Sequence, residues 1–306
     1  LIVCLNIFIM ETKEINNYKE AAKVWKATIN LAKKEVKSGI KLYDLANKLE
    51  KNIIDNDCGI AFPTNLSVNE KAAHYVPTHN DEQVLEDSDL LKVDIGVHKN
   101  GFICDGAISV NLDNTHAKQI EANELALENA ISVAKYGVTV DKIGAEIENT
   151  LKKAGFNPIY NLGVHGLDKF DIHSHPSIPN HANASSVELE EGAIAIEPFS
   201  STGDGFIHED VQVEIFMVNK GKNVRNTYGR KILEIAKTYD NLPFAERWLR
   251  EKSKLNEFGF TIGLKELMKA DVLKTFPGLK ETSGKFTTQV EKSLLILEDK
   301  TIVLGE

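Results

Sequence analysis

Residues 91–111 read LKVDIGVHKNGFICDGAISVN. Two apolar, β-branched runs flank His98-Lys99-Asn100-Gly101, and Asn-Gly between such runs is the strongest short signal for a β-hairpin. Each run carries one aspartate, Asp94 and Asp105, among residues that otherwise belong in a core. With Asn100-Gly101 as a two-residue loop, Asp94 pairs with Ala107 and Asp105 is its diagonal neighbour. With residues 98–101 as a four-residue loop, the two aspartates stand directly opposite each other. An odd-length loop would put them on opposite faces, because side chains alternate along a strand. Both favoured readings place the carboxylates on one face, with Cβ atoms about 4.5–8 Å apart. Two like charges there repel, and desolvating them is costly unless a cation balances them. The alternative is a solvated face with two unrelated aspartates, and the rest of the chain has to separate the two readings.

The 306 residues suffice for a sizeable core, and 42% hydrophobic with 26% charged residues is the balance of an ordinary globular protein. Three cysteines, Cys4, Cys58 and Cys104, argue against a disulfide framework and fit a reducing cytoplasm. The net charge of −9 argues against nucleic-acid binding by the whole chain. The charge is uneven, however: residues 219–280 hold 14 Lys+Arg against 7 Asp+Glu, a net of +7, which leaves −16 elsewhere. An acidic body with a basic segment suggests two surfaces with different partners. Residues 1–9 continue into Met10 as a ten-residue apolar run, LIVCLNIFIM, too short to span a bilayer and without a basic stretch before it. They are expected to derive from a misplaced start codon and to lie outside the fold.

Working outward from the hairpin, residues 15–37 read as an amphipathic helix with Ala22, Trp25, Ile29, Ala32 and Val36 at helical spacing. Gly39 stops it, and a second helix is expected over 44–54 with Asp44 as N-cap. The same pattern returns after the hairpin, as a helix over 117–135, a stop at Gly137, and a helix over 141–153. Leu42 and Leu45 follow Gly39 at the offsets at which Val140 and Ile143 follow Gly137, and Asn65-Leu66 recurs as Asn161-Leu162 96 residues later. This predicts a duplicated α+β unit about a pseudo-twofold axis, with a site in the cleft between the halves. Strands are expected at 193–199, 211–218, 284–291, 294–297 and 301–304. Residues 219–280 read as an inserted basic helical subdomain, punctuated by Pro243 and Pro277-Gly278, within a catalytic body of 10–218 and 281–306.

Four carboxylates therefore sit in or at the end of apolar strands: Asp94, Asp105, Glu197 and Glu291. Between them, His165, His173, His175 and His181 fall within 17 residues. Four carboxylates with an imidazole suit two divalent cations such as Mn, Fe, Co or Zn. Two such ions can share a water and lower its pKa toward roughly 7, giving hydroxide for a hydrolase.

These residues resemble the pita-bread metallopeptidases, and more narrowly the type II methionine aminopeptidases of the archaeal and eukaryotic kind. The matching segments are Ala-Ala-His-Tyr (72–75), Val-Asp-Ile-Gly (93–96), Ile-Cys-Asp (103–105), His165 to His173 with Ser-Ile-Pro (177–179), Ala-Ile-Glu-Pro-Phe (195–199) and Gln-Val-Glu (289–291). The resemblance runs over about residues 14–306. It implies a pita-bread fold and removal of the N-terminal methionine of nascent polypeptides by a metal-bridging hydroxide; separately, a cytoplasmic monomer with no membrane association is expected. It implies metal ligation by Asp94, Asp105, His165, Glu197 and Glu291, with Asp105 and Glu291 bridging the two ions and Glu197 shuttling the proton. His74 and His173 would hydrogen-bond the scissile amide and its carbonyl. Phe62, Pro63 and Asn65 align with the pocket for the methionine side chain, an apolar slot suited to a thioether.

Three positions depart from the family pattern. Val164 stands where glycine is usual, Ser174-His175 where Ala-Gly is usual, and Lys292 where histidine is usual. Lys292 is expected to bring a cation near the metals. His98, His116, His175, His181 and His208 are read as surface or structural. Prolidases and proline-specific aminopeptidases of the same scaffold carry a further N-terminal domain, whereas only about 64 residues lie between Met10 and His74. A non-catalytic binding relative would have lost ligands, and all five are present. The basic segment 219–280 is expected to contact the ribosome, at RNA near the nascent-chain exit.

Overall fold

In the computed structural model of the protein, residues 10–219 and 221–306 are described; the expectation for residues 1–9 lies outside them. The chain opens with helices α1 (Thr12–Glu35) and α2 (Leu42–Asp55). Asp44 is not the N-cap of α2 but sits in its first turn, with Lys41 at the cap position. The N–H of Leu42 donates to the carbonyl of Gln83 at 3.0 Å, so the helix start finds a backbone acceptor and needs no capping carboxylate.

Strands β1 (Gly59–Val68), β2 (Lys71–Ala73), β3 (Leu90–Lys99) and β4 (Phe102–Asn111) follow. The hairpin takes its shortest form. Lys99 pairs with Phe102 across Asn100-Gly101, both at positive φ, and Asp94 pairs with Ala107. Asp105 opposes Gly96, so the two carboxylates are diagonal neighbours on one face. The other face is covered by α1. A Cβ on Gly106 would lie 2.3 Å from the Trp25 ring, and Trp25 Nε1 donates to the Gly106 carbonyl at 3.1 Å.

Helices α3 (Ala117–Val133) and α4 (Val140–Lys153) repeat the opening pair. Gly39 and Gly137 have φ of +80° and +75°, the left-handed conformation glycine adopts freely. Their N–H groups donate to the carbonyls of Leu85 and Leu189 at 2.7 and 2.8 Å. Leu42 and Val140 donate to Gln83 and Val187, while Leu85 and Leu189 donate back to Ile40 and Val138. One backbone clamp is thus built twice, at the positions where the glycine offsets place the duplication.

Strands β5 (Asn157–Pro158), β6 (Gly163–Asp168), β7 (Asp171–Pro179), β8 (Gly192–Ile196), β9 (Phe199–Ser201) and β10 (Ile207–Val218) form most of the second half. The strand expected through Phe199 stops at Ile196, because Pro198 has no N–H for the ladder. Then come α5 (Thr227–Ala236), β11 (Phe244–Ala245), α6 (Glu246–Ser253) and α7 (Glu257–Lys269). These helices share a core of Ile232, Leu249, Phe260 and Leu267 with Ile215 and Phe216 of β10.

The helical texture expected up to residue 280 ends at Lys269. Residues Leu273–Glu281 form β12, antiparallel to both β10 and β2. Pro277 is tolerated within it because the pairing with β10 is irregular on either side of its partner, Val213. Strands β13 (Thr287–Gln289), β14 (Lys292–Ile296) and β15 (Thr301–Val303) complete the chain. The sheet β15-β14-β8-β6-β7 abuts the hairpin, where Ala107 and Glu291 exchange N–H···O bonds of 3.3 and 3.0 Å. The result is the α+β pita-bread architecture. Among the described residues no helix is long and apolar enough to cross a membrane.

Candidate active site

The seam between hairpin and second sheet is the floor of a cavity of about 350 Å³. Asp94 reaches it from β3, Asp105 from β4, His165 from β6, Glu197 from the residue after β8, and Glu291 from the two-residue step between β13 and β14. Ligand atoms of Asp105, His165 and Glu291 lie within 4.8 Å of one another. His165 Nε2 is 3.9 Å from Asp105 Oδ2 and 3.7 Å from Glu197 Oε1. The sequence-expected ligands thus converge, on the face the hairpin register requires.

Their electrostatics ask for a cation. Burial raises the Asp94 carboxyl to about 7, opposed by a hydrogen bond from Gln289. Burial also holds Asp105, Glu197 and Glu291 well above the usual carboxylate range, and repulsion from neighbouring acids adds to it. Asp94 Oδ1, Asp105 Oδ1 and Glu291 Oε1 are buried without a hydrogen-bond partner among the described residues. Burial lowers the His165 imidazole to about 4, so the ring is neutral near pH 7 and its contacts with the carboxylates are not ion pairs. Its Nδ1 lies 3.3 Å from the Gly166 carbonyl, which can only accept. Nδ1 therefore carries the proton, leaving the Nε2 lone pair directed at the acids. Orphaned carboxylate oxygens around a neutral imidazole lone pair are a donor set that fits divalent metal.

His74 and His173 stand above this floor. His74 has φ of +61°, a conformation rare for a non-glycine residue and concentrated at functional sites. Its Nδ1 lies 3.2 Å from the Pro277 carbonyl, so Nδ1 donates and Nε2 is an acceptor. The His173 ring packs edge-on against His165, centroids 4.8 Å apart. It is open to the cleft, and the protein around it, with His165, His74 and Lys274, pushes its pKa down.

Phe62 and Asn65 line the cavity, joined by Ile215, Pro243, Phe276 and Leu279. Pro63 does not line it; it is buried, and its carbonyl accepts a 3.2 Å bond from Asn65 Nδ2. Sequence reasoning missed Gln289, whose Nε2 donates to Asp94 Oδ2 at 3.2 Å and to Glu197 Oε2 at 3.3 Å. Its place two residues before Glu291, on the same face of an extended chain, was the available signal. His175, read as surface or structural, is exposed and also lines the cleft. Val164 is wholly buried in the second half's core and pairs with Ile178. Lys292 does not bring a cation to the carboxylates. Alternation along β14 turns it away from Glu291, and its Nζ pairs with Glu306 at 2.8 Å on the surface.

A duplicated α+β scaffold that gathers buried acids and a neutral imidazole at its seam is the build of a metallopeptidase. The chain belongs to metallopeptidase family M24, whose sequence profile matches residues 16–226. Within that family its likeness is to archaeal methionine aminopeptidases. It is 38% identical over 296 residues to that of Pyrococcus horikoshii, covering 96% of this chain and 100% of the relative. It is 39% identical over 280 residues to that of Archaeoglobus fulgidus, covering 90% and 93%. A thermophilic Arx1 structure superposes with a TM-score of 0.85 at 15% identity, covering 97% of this chain and 91% of that one, a likeness of fold alone.

Proposed function

We propose that this protein removes the N-terminal methionine from polypeptides. It would do so with two divalent ions of the Co, Mn, Fe or Zn kind, held by Asp94, Asp105, His165, Glu197 and Glu291. The observation that carries this reading is the convergence of Asp105, His165 and Glu291 ligand atoms within 4.8 Å beneath an apolar cavity. Bound metal would supply Lewis acidity and an activated water.

The chain's own groups supply the rest. Glu197 accepts the proton of the attacking water and returns it to the leaving amine. His74, with its free Nε2 lone pair, accepts the N–H of the scissile amide. His173 faces the carbonyl on which charge develops. Phe62 and Asn65, with Ile215, Phe276 and Leu279, enclose the methionine side chain. Metal-stripped protein given Mn or Co and the peptide Met-Ala-Ser should release free methionine. Cleavage only before proline would favour a prolidase-like enzyme instead, and no turnover with any metal a non-catalytic binding protein.

We propose further that the basic helical segment docks on an anionic surface such as ribosomal RNA. Arg225, Arg230, Lys231 and Lys237 are exposed on or beside α5. Arg247 and Arg250 are not available for this, being ion-paired internally. Ribosome co-sedimentation should weaken with added salt; salt-insensitive or absent binding would count against docking.

A further inference from the structure

Beyond the metal floor, one buried charge pair ties the two walls of the side-chain pocket together. Glu50 of α2 is 5% exposed and Arg247 of α6 is 1% exposed. Arg247 Nη2 donates to Glu50 Oε1, Trp248 Nε1 donates to Oε2 at 2.9 Å, and the backbone N–H of Thr64 donates to Oε1 at 3.2 Å. Thr64 lies in the irregular stretch of β1 between Phe62, which pairs with Gly96, and Asn65, which pairs with Asp94. Three steps along β1 there span two along β3, so one residue is extra. A bulge of this kind re-aims the flanking side chains and leaves a backbone donor without a ladder partner. Here that donor is satisfied by Glu50, and the flanking side chains are Phe62 and Asn65, both in the cavity wall.

A second stretch of the cavity wall hangs on the same pair. Pro243 lines the cavity four residues before Arg247. The intervening Phe244–Ala245 strand pairs with Ile215 and Phe216 of β10, and Ile215 also lines the cavity. Among the described residues Arg247 Nε and Nη1 find no hydrogen-bond partner, so the guanidinium is held by Glu50 rather than by a wider polar network.

We propose that Glu50 and Arg247 are positioning residues for substrate selection: their ion pair fixes the spacing between the Phe62–Asn65 bulge and the Pro243–Ile215 wall, and so sets which side chain the pocket accepts. Neither residue touches the metal ligands. The inference rests on the aminopeptidase reading above, and its test separates the two.

Removing one partner strands a buried charge, so the informative variant is the double replacement Glu50→Gln with Arg247→Met, which keeps volume and leaves no lone ion. Arg247→Lys, which keeps the charge but loses the planar fork, is the milder second variant. Steady-state rates would be measured with Met-Ala-Ser, norleucyl-Ala-Ser and Leu-Ala-Ser on the Mn-loaded protein. Metal content and kcat for the methionyl peptide should stay close to those of the unaltered protein. KM for the methionyl peptide should rise, and its kcat/KM advantage over the leucyl peptide should fall by about tenfold, the order expected for a pocket misfitted by roughly a methylene. Arg247→Lys should fall in between. A lower Tm with unchanged selectivity in both variants would overturn the proposal and reduce the pair to a structural tie. Failure of the unaltered protein to cleave any methionyl peptide would instead remove the aminopeptidase reading, and this inference with it.

Discussion

Asp105 and Ser293, 188 residues apart, exchange two hydrogen bonds of 2.8 Å: the backbone N–H of Asp105 donates to Ser293 Oγ, and that hydroxyl donates to the Asp105 carbonyl. A hydroxyl in the second half thus fixes the backbone from which the Asp105 carboxylate of the first half projects. Ser293→Ala should leave the fold intact and weaken metal binding by about 10–100-fold, the usual effect of losing an outer-shell partner. Titration of metal-stripped protein with Mn would show it; an unchanged affinity would mean the backbone is held by the sheet alone.

On the roles proposed for Glu197, Glu197→Gln removes a ligand oxygen's charge and the proton acceptor together. Turnover of a methionyl peptide should fall by at least about 10²–10⁴-fold, the range for general acid–base catalysis, with circular dichroism unchanged. Near-normal hydrolysis would refute its assigned role.

Metal removal should make stability depend on pH with a defined sign. Burial holds Asp94 near 7 and the other three acids higher than usual, against about 4 in an unfolded chain. Between those values the four acids hold protons in the native metal-free protein that they lose in the unfolded one. They outnumber the neutral His74, His165 and His173, which act in the opposite direction below about 6.5, so stability falls as pH rises through about 4 to 7. Chelator-treated protein should melt lower at about pH 8 than at about pH 5, and Mn should raise Tm more at the higher value while releasing protons. Melting curves without this crossover would argue that the acids are ionised in the absence of metal.

Gly96 pairs with Asp105, and a Cβ there would lie 2.2 Å from the Phe62 ring. Gly96→Ala should push Phe62 off its place in the pocket and cost about 1–3 kcal/mol from overpacking. KM for a methionyl peptide should rise more than kcat falls; equal loss of both would mean that the metal floor moved instead.

Lys292 ends at Glu306, away from the carboxylates. Lys292→Ala should therefore change stability by no more than about 0.5 kcal/mol, as for a typical exposed position. Metal affinity should be unchanged, and a clear gain on losing the positive charge would contradict the orientation described above.

Much of this was legible from residues in order. Asn100-Gly101 set the hairpin register, and with it the shared face of Asp94 and Asp105. The glycine offsets located a backbone clamp that is indeed built twice. What stayed hidden depends on contacts between distant segments. Strand β12 reads in sequence as the end of the helical segment because Pro277-Gly278 reads as a breaker, and only the irregular pairing with β10 makes room for it. Asp44 looked like a cap because the carbonyl of Gln83, which serves the helix start, is invisible locally. Gln289 holds Asp94 across a separation of 195 residues, so its place two residues before Glu291 gave its face but not its partner. Lys292 was misjudged through adjacency, since neighbours on a strand point to opposite faces.

The spread of the five acid and imidazole residues from Asp94 to Glu291 has a consequence for biosynthesis. A ribosome adds the hairpin well before Glu291, so the growing chain carries an incomplete set of these side chains in between. During that interval Asp94 and Asp105 have no fourth-carboxylate partner, and contacts of such long sequence separation close slowly. On the proposed ligand set, metal capture would therefore follow docking of the 287–296 segment against the hairpin. The five side chains exist together only once residue 291 has been added.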